Sequence, residues 1–143
     1  MKPSDEIINT LKDVLHNSPE AAAAYLFGSA AGDEPVVNDL DILVLLSPRM
    51  DKDKAYFDLY ARFMQVMELS GLRPDILFFD LQEADPHVLC DAVNKGILLK
   101  DESPELLTDR IESLSRYFLE NEFLIREARR LRKELLEEFC DGQ

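Results

Sequence analysis

The sequence has no tryptophan and only two cysteines, Cys90 and Cys140, among its 143 residues. These cysteines lie far apart and have no histidine at the spacing of a zinc site, so we expect reduced thiols rather than a disulfide or a metal centre. No apolar run approaches the roughly 20 residues that cross a membrane, and the N-terminus MKPSDEIINT lacks the apolar centre of a signal peptide. These absences favour a cytoplasmic protein that does not contact membranes.

Basic residues are also scarce, because 16 lysines and arginines face 29 aspartates and glutamates, for a net charge of −13. No lysine or arginine occurs between Lys12 and Arg49. Residues 1–103 hold 19 acids and 9 bases, so the acidity belongs mainly to this part. Such a balance argues against direct nucleic-acid binding, which needs a basic face to displace counterions. It suits magnesium-assisted nucleotide chemistry or a basic protein partner.

Two short apolar runs, separated by a polar loop, bracket the residues that could carry chemistry. The first run ends in Gly28-Ser29, a pair suited to a tight turn between a strand and a helix. The second run opens with Asp39-Leu40-Asp41 and is rich enough in leucine, isoleucine and valine to form a buried strand. Side chains alternate along a strand, so Asp39 and Asp41 point to the same face.

A third acid, Asp75, opens the next apolar run, PDILFF, and would join the other two if the strands are neighbours. Carboxylates held together at the mouth of an apolar strand repel each other and resist burial, unless a cation lies between them. Mg²⁺ prefers oxygen ligands and usually also holds substrate phosphates. A solvated strand end would explain any single aspartate. The set of three favours a metal site at Asp39, Asp41 and Asp75.

Hydrophobic periodicity predicts a single small α/β (α+β) domain, with a short mixed sheet and helices packed on one side of it. We expect residues 1–103 to form the catalytic core and residues 104–143 to form one long C-terminal helix. The predicted strands cover residues 21–27, 40–46, 72–79 and 97–99, and the predicted helices cover residues 4–17, 51–70, 85–94 and 103–139.

The long C-terminal helix carries apolar residues at steps of three and four, which approaches the spacing of a coiled-coil seam. Its first half is expected to pack on the sheet and its second half to contact a partner protein, or a second copy in a homodimer. Five basic residues between Arg126 and Lys133 alternate with glutamates, which indicates a salt-bridged solvent face rather than an RNA contact.

An apolar strand, Gly28-Ser29, a loop and then Asp39-x-Asp41 on a strand together resemble the signature of the polymerase-beta-like nucleotidyltransferases. Asp75 falls where that superfamily carries its third carboxylate. In its short length and in the layout that follows Asp75, the chain is most similar to the minimal nucleotidyltransferases of the MntA antitoxin type. The resemblance extends over most of the chain.

The resemblance implies transfer of AMP from ATP, with Mg²⁺, to a tyrosine of a partner HEPN-type ribonuclease toxin, HepT, in a hetero-oligomer. Asp39 and Asp41 would hold the metal, and Asp75 would share it and help deprotonate the acceptor hydroxyl. Gly28 and Ser29 would contact the triphosphate through backbone amides and the serine hydroxyl.

The sequence departs from the family pattern in the loop that follows Ser29. The nine residues from Ala30 to Asn38 are one fewer than the family usually has, and the basic residue that usually follows the serine is absent. The triphosphate would then depend on backbone N–H groups, Mg²⁺ and cations from elsewhere. Two alternatives remain open: a weak or silent nucleotidyltransferase fold that neutralises its toxin by binding alone, and a small-molecule nucleotidyltransferase.

Overall fold

The computed structural model describes residues 5–28, 39–67 and 71–141. The described residues form four helices and four strands, close to the predicted bounds. In chain order these elements are α1 (Asp5–His16), β1 (Ala21–Phe27), β2 (Asp39–Leu46), α2 (Lys52–Met67), β3 (Arg73–Phe78), α3 (Pro86–Lys95), β4 (Ile97–Asp101) and α4 (Pro104–Asp141).

The four strands form one mixed sheet in the order β3-β2-β1-β4. Strand β1 runs antiparallel to both β2 and β4, whereas β2 and β3 are parallel neighbours. The two central strands are buried almost throughout, as their long apolar runs require. The predicted fold class, a small α/β domain with a mixed sheet and a long C-terminal helix, is confirmed.

The expectation that all helices lie on one side of the sheet is wrong. Helices α1 and α2 contribute Leu15 and Phe63 to a core cluster with Leu26 and Ile42 of the central strands. The connections β2–α2–β3 and β3–α3–β4 progress across the sheet in opposite directions. Because such crossovers are right-handed, α2 and α3 cover opposite faces. The α3 residue Leu89 is accordingly fully buried outside that cluster.

Polar groups fix the ends of two of the helices. Asp85 caps α3 by accepting a hydrogen bond from the His87 backbone N–H at 2.9 Å, as Asp85-Pro86 predicts. At the end of α1, the buried Lys100 Nζ donates to the carbonyl oxygens of Leu15 at 2.7 Å and Ser18 at 3.0 Å. Each of these carbonyls also accepts a backbone N–H, from Ser18 and from Ala21, so the lysine is a second donor to both and places a positive charge at the C-terminal end of the helix.

The chain separates into two compact units, Met1–Arg110 and Ile111–Gln143. The second unit is the larger part of α4, a helix of 38 residues. The predicted division into a catalytic core of residues 1–103 and a partner-binding helix stays a prediction. Within the part of the chain that the structure describes, no helix is both long and apolar enough to span a membrane.

Candidate active site

Gly28 follows the last residue of β1 and lies against the carboxylate of Asp41. In the antiparallel register, Phe27 is opposite Asp41, so the next residue of the chain passes beside that side chain. Gly28 has a φ of +71°, and a Cβ built on it would lie 2.2 Å from Asp41 Oδ2. Glycine is required at this position for two reasons. Residues with a side chain disfavour the left-handed conformation, and the Asp41 carboxylate occupies the space that a side chain would need.

The parallel pairing of β2 and β3 places two of the predicted acids side by side. Asp41 is the register partner of Asp75, and Asp39 lies two residues earlier along β2 on the same face. The burial pattern agrees with this alternation, since Asp39 is exposed, Leu40 is buried and Asp41 is half-buried. The structure therefore brings Asp39, Asp41 and Asp75 to one end of one face, next to Gly28.

The electrostatics of this cluster centre on Asp41. Burial, the negative charge of Asp75, a hydrogen bond with the Asp75 side chain and the charge of Asp39 together raise the pKa of Asp41 from 3.8 to about 6. Two carboxyl groups can share a hydrogen bond only while one of them is protonated. Without a cation, a proton therefore holds this pair together over part of the pH range.

The donor set suits a hard divalent cation, because it consists of carboxylate oxygens alone and a cation could replace the shared proton. Asp41 and Asp75 would be its adjacent ligands, with Asp39 beside them. Across residues 5–28, 39–67 and 71–141, however, no three acidic, histidine or cysteine side chains are already grouped as a metal centre. The assignment of Asp39, Asp41 and Asp75 as metal ligands stays a prediction.

The second nucleotide-contacting residue predicted from sequence, Ser29, lies outside the described residues. So does the loop from Ala30 to Asn38, whose length and lack of basic residues distinguish this sequence from the family pattern. Of the residues predicted to contact the triphosphate, only Gly28 is placed by the structure, at the carboxylate cluster.

Arg73 was not predicted from the sequence as a site residue, yet the structure places it next to the acids. It is the first residue of β3 and the register partner of Asp39. Arg73 and Asp75 are exposed, whereas the intervening Pro74 is buried, so the arginine shares a face with the three carboxylates. The same alternation that grouped Asp39 with Asp41 could have found it, since Arg73 precedes Asp75 by two residues.

A cavity of about 310 Å³ opens at the other face of the sheet. Leu40, which lies between Asp39 and Asp41 and points away from them, is part of its lining. The carboxylates therefore do not line this cavity. Its wall comes from Glu6, Ile7, Thr10, Leu40, Val66, Met67 and Leu72.

Comparison with known proteins agrees with this architecture. Solved structures with a similar fold include a toxin–antitoxin with AMP-PNP (TM-score 0.59, 20% identity, covering 85% of this chain and 97% of that one). A mutant of the toxin–antitoxin MntA-HpeT is similar at a TM-score of 0.58 and 19% identity, with the same coverage. A third is tri-AMPylated Shewanella oneidensis HEPN toxin in complex with MNT antitoxin (TM-score 0.50, 21% identity, covering 87% and 93%).

None of the curated proteins compared with the chain matches it. The family model described as "Polymerase beta, Nucleotidyltransferase" matches residues 9–105, which is more than half of the chain and includes Gly28, Asp39, Asp41 and Asp75. With its strand-borne carboxylates and its mixed sheet, the chain belongs to the polymerase beta nucleotidyltransferase family.

Proposed function

We propose that this protein is a cytoplasmic antitoxin that transfers AMP from ATP to a tyrosine of a partner HEPN-type ribonuclease toxin. The observation that carries the proposal is the pairing of Asp41 with Asp75, with Asp39 on the same face, inside a nucleotidyltransferase domain. Two proteins of similar fold support the choice of partner and nucleotide. One is a toxin–antitoxin with AMP-PNP, and the other is an AMPylated HEPN toxin in complex with its antitoxin.

In the proposed reaction, the tyrosine hydroxyl oxygen attacks the α-phosphorus of ATP, a new P–O bond forms, and the bond to the leaving pyrophosphate breaks. Asp75 accepts the hydroxyl proton, since as an exposed carboxylate on the outer strand β3 it can approach an acceptor from outside. Gly28 keeps the chain close to Asp41 without a side chain between the phosphates and the carboxylate. Alignment of the acceptor with the leaving group supplies much of the acceleration.

Asp39, Asp41 and Asp75 would hold Mg²⁺, which when bound supplies positive charge to the phosphate oxygens. The protein adds a half-buried setting for Asp41, where electrostatic interactions are stronger than in bulk water. The same setting makes the metal-free cluster unfavourable, because the carboxylates repel each other there.

A second candidate function is neutralisation of the toxin by binding alone. It is favoured by the absence of lysine and arginine between Lys12 and Arg49 and by the exposed apolar residues of α4. Leu124, Leu131 and Leu135 are 61%, 50% and 65% exposed and recur at steps of seven and four. Such a stripe suits a partner helix.

The deciding experiment combines the purified protein, Mg²⁺, ATP labelled on its α-phosphate and the product of the neighbouring gene, as the candidate HEPN-type partner. Wild type is compared with Asp41→Asn, which keeps the side-chain shape but removes the charge. Asp53→Asn, an exposed change in the first turn of α2, is the matched control.

We expect wild type and Asp53→Asn to label a tyrosine of the partner and Asp41→Asn to lose at least a hundredfold in rate, since the charge acts on the reacting phosphate. If no label moves while both wild type and Asp41→Asn bind and silence the ribonuclease, binding alone is the function. Label on a small-molecule hydroxyl acceptor added to the mixture, and none on the partner, would favour the small-molecule enzyme.

A further inference from the structure

Arg73 places a positive charge at the edge of the carboxylate cluster. It stands directly opposite Asp39 in the parallel register and two residues before Asp75 on the same face of β3. Neighbouring strands lie about 4.8 Å apart, so the backbone of Arg73 lies one strand spacing from that of Asp39, within the length of an arginine side chain of the region where ligands of these carboxylates would bind.

Within the described ranges, Arg73 takes part in no ion pair, although three aspartates share its face. The basic side chains of the sheet and of α2 that do form ion pairs stabilise the fold. Lys52 is paired with Asp80 and Glu83, and Arg62 is paired with Glu20. Lys100 is buried against the end of α1. Arg73 is exposed and remains available for an anionic ligand.

A triphosphate bound near three aspartates needs positive charge from the protein as well as from a metal ion. The segment from Lys12 to Arg49 supplies no cation between its ends, although it contains both the turn at Gly28 and the first two aspartates. An arginine suits this need, because its planar guanidinium can donate two parallel hydrogen bonds to phosphate oxygens.

We propose that Arg73 binds the phosphates of ATP that leave as pyrophosphate, supplying from β3 the cation that the loop after Ser29 lacks. This inference rests on the proposed nucleotide chemistry and adds to it a specific anchoring residue. Arg73 is a binding residue in this account, and the carboxylates retain the acid–base role.

The simpler explanation is that Arg73 only protects an outer strand from pairing with other chains, as charged residues on sheet edges do. That explanation predicts no dependence of nucleotide affinity on the arginine.

The test measures equilibrium binding of ATP and of adenosine, by calorimetry in the presence of Mg²⁺, to wild type, Arg73→Ala and Arg73→Lys. The control is Lys54→Ala, which removes an exposed charge from α2, on the other face of the sheet. For Arg73→Ala we expect roughly 10- to 30-fold weaker ATP binding, which is what loss of a charge-assisted hydrogen bond implies. Adenosine binding stays unchanged, Arg73→Lys recovers part of the affinity, and Lys54→Ala behaves as wild type.

Equal ATP affinity in wild type and Arg73→Ala, or equal losses for ATP and adenosine, would overturn the inference. So would a failure of wild type to bind ATP, an outcome that also removes the proposed function. If ATP binding depends on Arg73 but no AMP is transferred to the toxin, the proposed function fails and this inference stands. Thermal unfolding of each variant checks that all are folded.

Discussion

Gly28 occupies a position where both the backbone conformation and the space beside it exclude a side chain. We expect Gly28→Ala to abolish most nucleotidyl transfer, because the added Cβ must displace the Asp41 carboxylate. It should also destabilise the fold by about 1–2 kcal/mol for the left-handed backbone, with a further 1–3 kcal/mol, roughly, for the collision. Thermal and urea unfolding measure the loss, and the labelled-ATP assay measures the rate.

Gly71→Ala is the matched control for this prediction. Gly71 has nearly the same conformation, with a φ of +74°, and nothing described lies within 4 Å of a Cβ added there. The Gly71→Ala variant should lose only the free energy of unfolding that the left-handed backbone costs, and it should retain activity. Equal effects of the two substitutions on stability and rate would mean that the contact between Gly28 and Asp41 is unimportant.

The raised pKa of Asp41 predicts an unusual dependence of the free energy of unfolding on pH. Its folded-state pKa of about 6 lies above its ordinary value of 3.8, so its contribution to stability is fully present below pH 3.8 and is lost as the pH rises through 6. The asparagine of Asp41→Asn does not ionise. With a chelator present to remove metal ions, the free energy of unfolding of Asp41→Asn relative to wild type should rise between pH 4 and pH 8, by roughly 1 kcal/mol after allowance for solvent screening.

Urea unfolding of both proteins across this pH range checks the prediction, and excess Mg²⁺ at pH 8 provides its complement. Binding of the ion to the folded wild type should stabilise it and reduce or reverse the difference from Asp41→Asn. A difference that is constant from pH 4 to pH 8 would contradict the coupling of Asp41 with Asp75.

The site residues show what alternation along a strand can and cannot predict. It correctly placed Asp39 and Asp41 on one face, because that inference needs only the period of two. The pairing of Asp41 with Asp75 required the added assumption that their strands are neighbours. Arg73 was missed because a charged residue at a strand start has an ordinary explanation until its register with Asp39 is known.

At the scale of elements, Lys100 joins β4 to the end of α1. We expect Lys100→Met to lower the free energy of unfolding by about 2 kcal/mol, since two buried charge-assisted hydrogen bonds, one to each of the carbonyls of Leu15 and Ser18, would be lost. Lys95→Met, at a side chain that is 81% exposed, should change it by less than about 0.5 kcal/mol. Urea denaturation compares the two variants, and equal losses would argue against the capping role.

The extent of the elements was largely predictable, because apolar runs, caps and breakers mark them locally. Asp85 and Gly96 bound α3 as expected. The face that each helix covers was not predictable in this way. It depends on the strand order β3-β2-β1-β4, in which the connection from β3 to β4 runs back across the sheet. Strand order is decided by packing between distant segments, which local periodicity does not encode.

At the scale of the whole molecule, the exposed stripe of α4 is the predicted surface for the partner toxin or for a second copy of the chain. We expect Leu131→Glu to weaken partner binding at least about tenfold, because a charge in the centre of an apolar interface is left unpaired. Calorimetry measures the affinity, and light scattering of the protein alone reports whether a homodimer is lost instead.

Leu119→Glu serves as the control, since Leu119 is also exposed and lies on α4. It precedes Leu131 by twelve residues, or about 3.3 helical turns, and so points to a different side of the helix. The same loss of partner affinity in both variants would show that added charge, and not the stripe of Leu124, Leu131 and Leu135, is responsible.

Pro74 has a consequence for how an acceptor can reach the molecule. It lies beside Asp75 on β3, an outer strand in the described part of the chain. Proline within a sheet is confined to such edges, where its nitrogen faces away from the ladder and offers no hydrogen to a newcomer. A polypeptide that docked by extending the sheet would therefore lose a backbone contact beside the acid proposed to receive the proton. We expect the modified tyrosine to be presented from a helix or a loop that reaches over this edge.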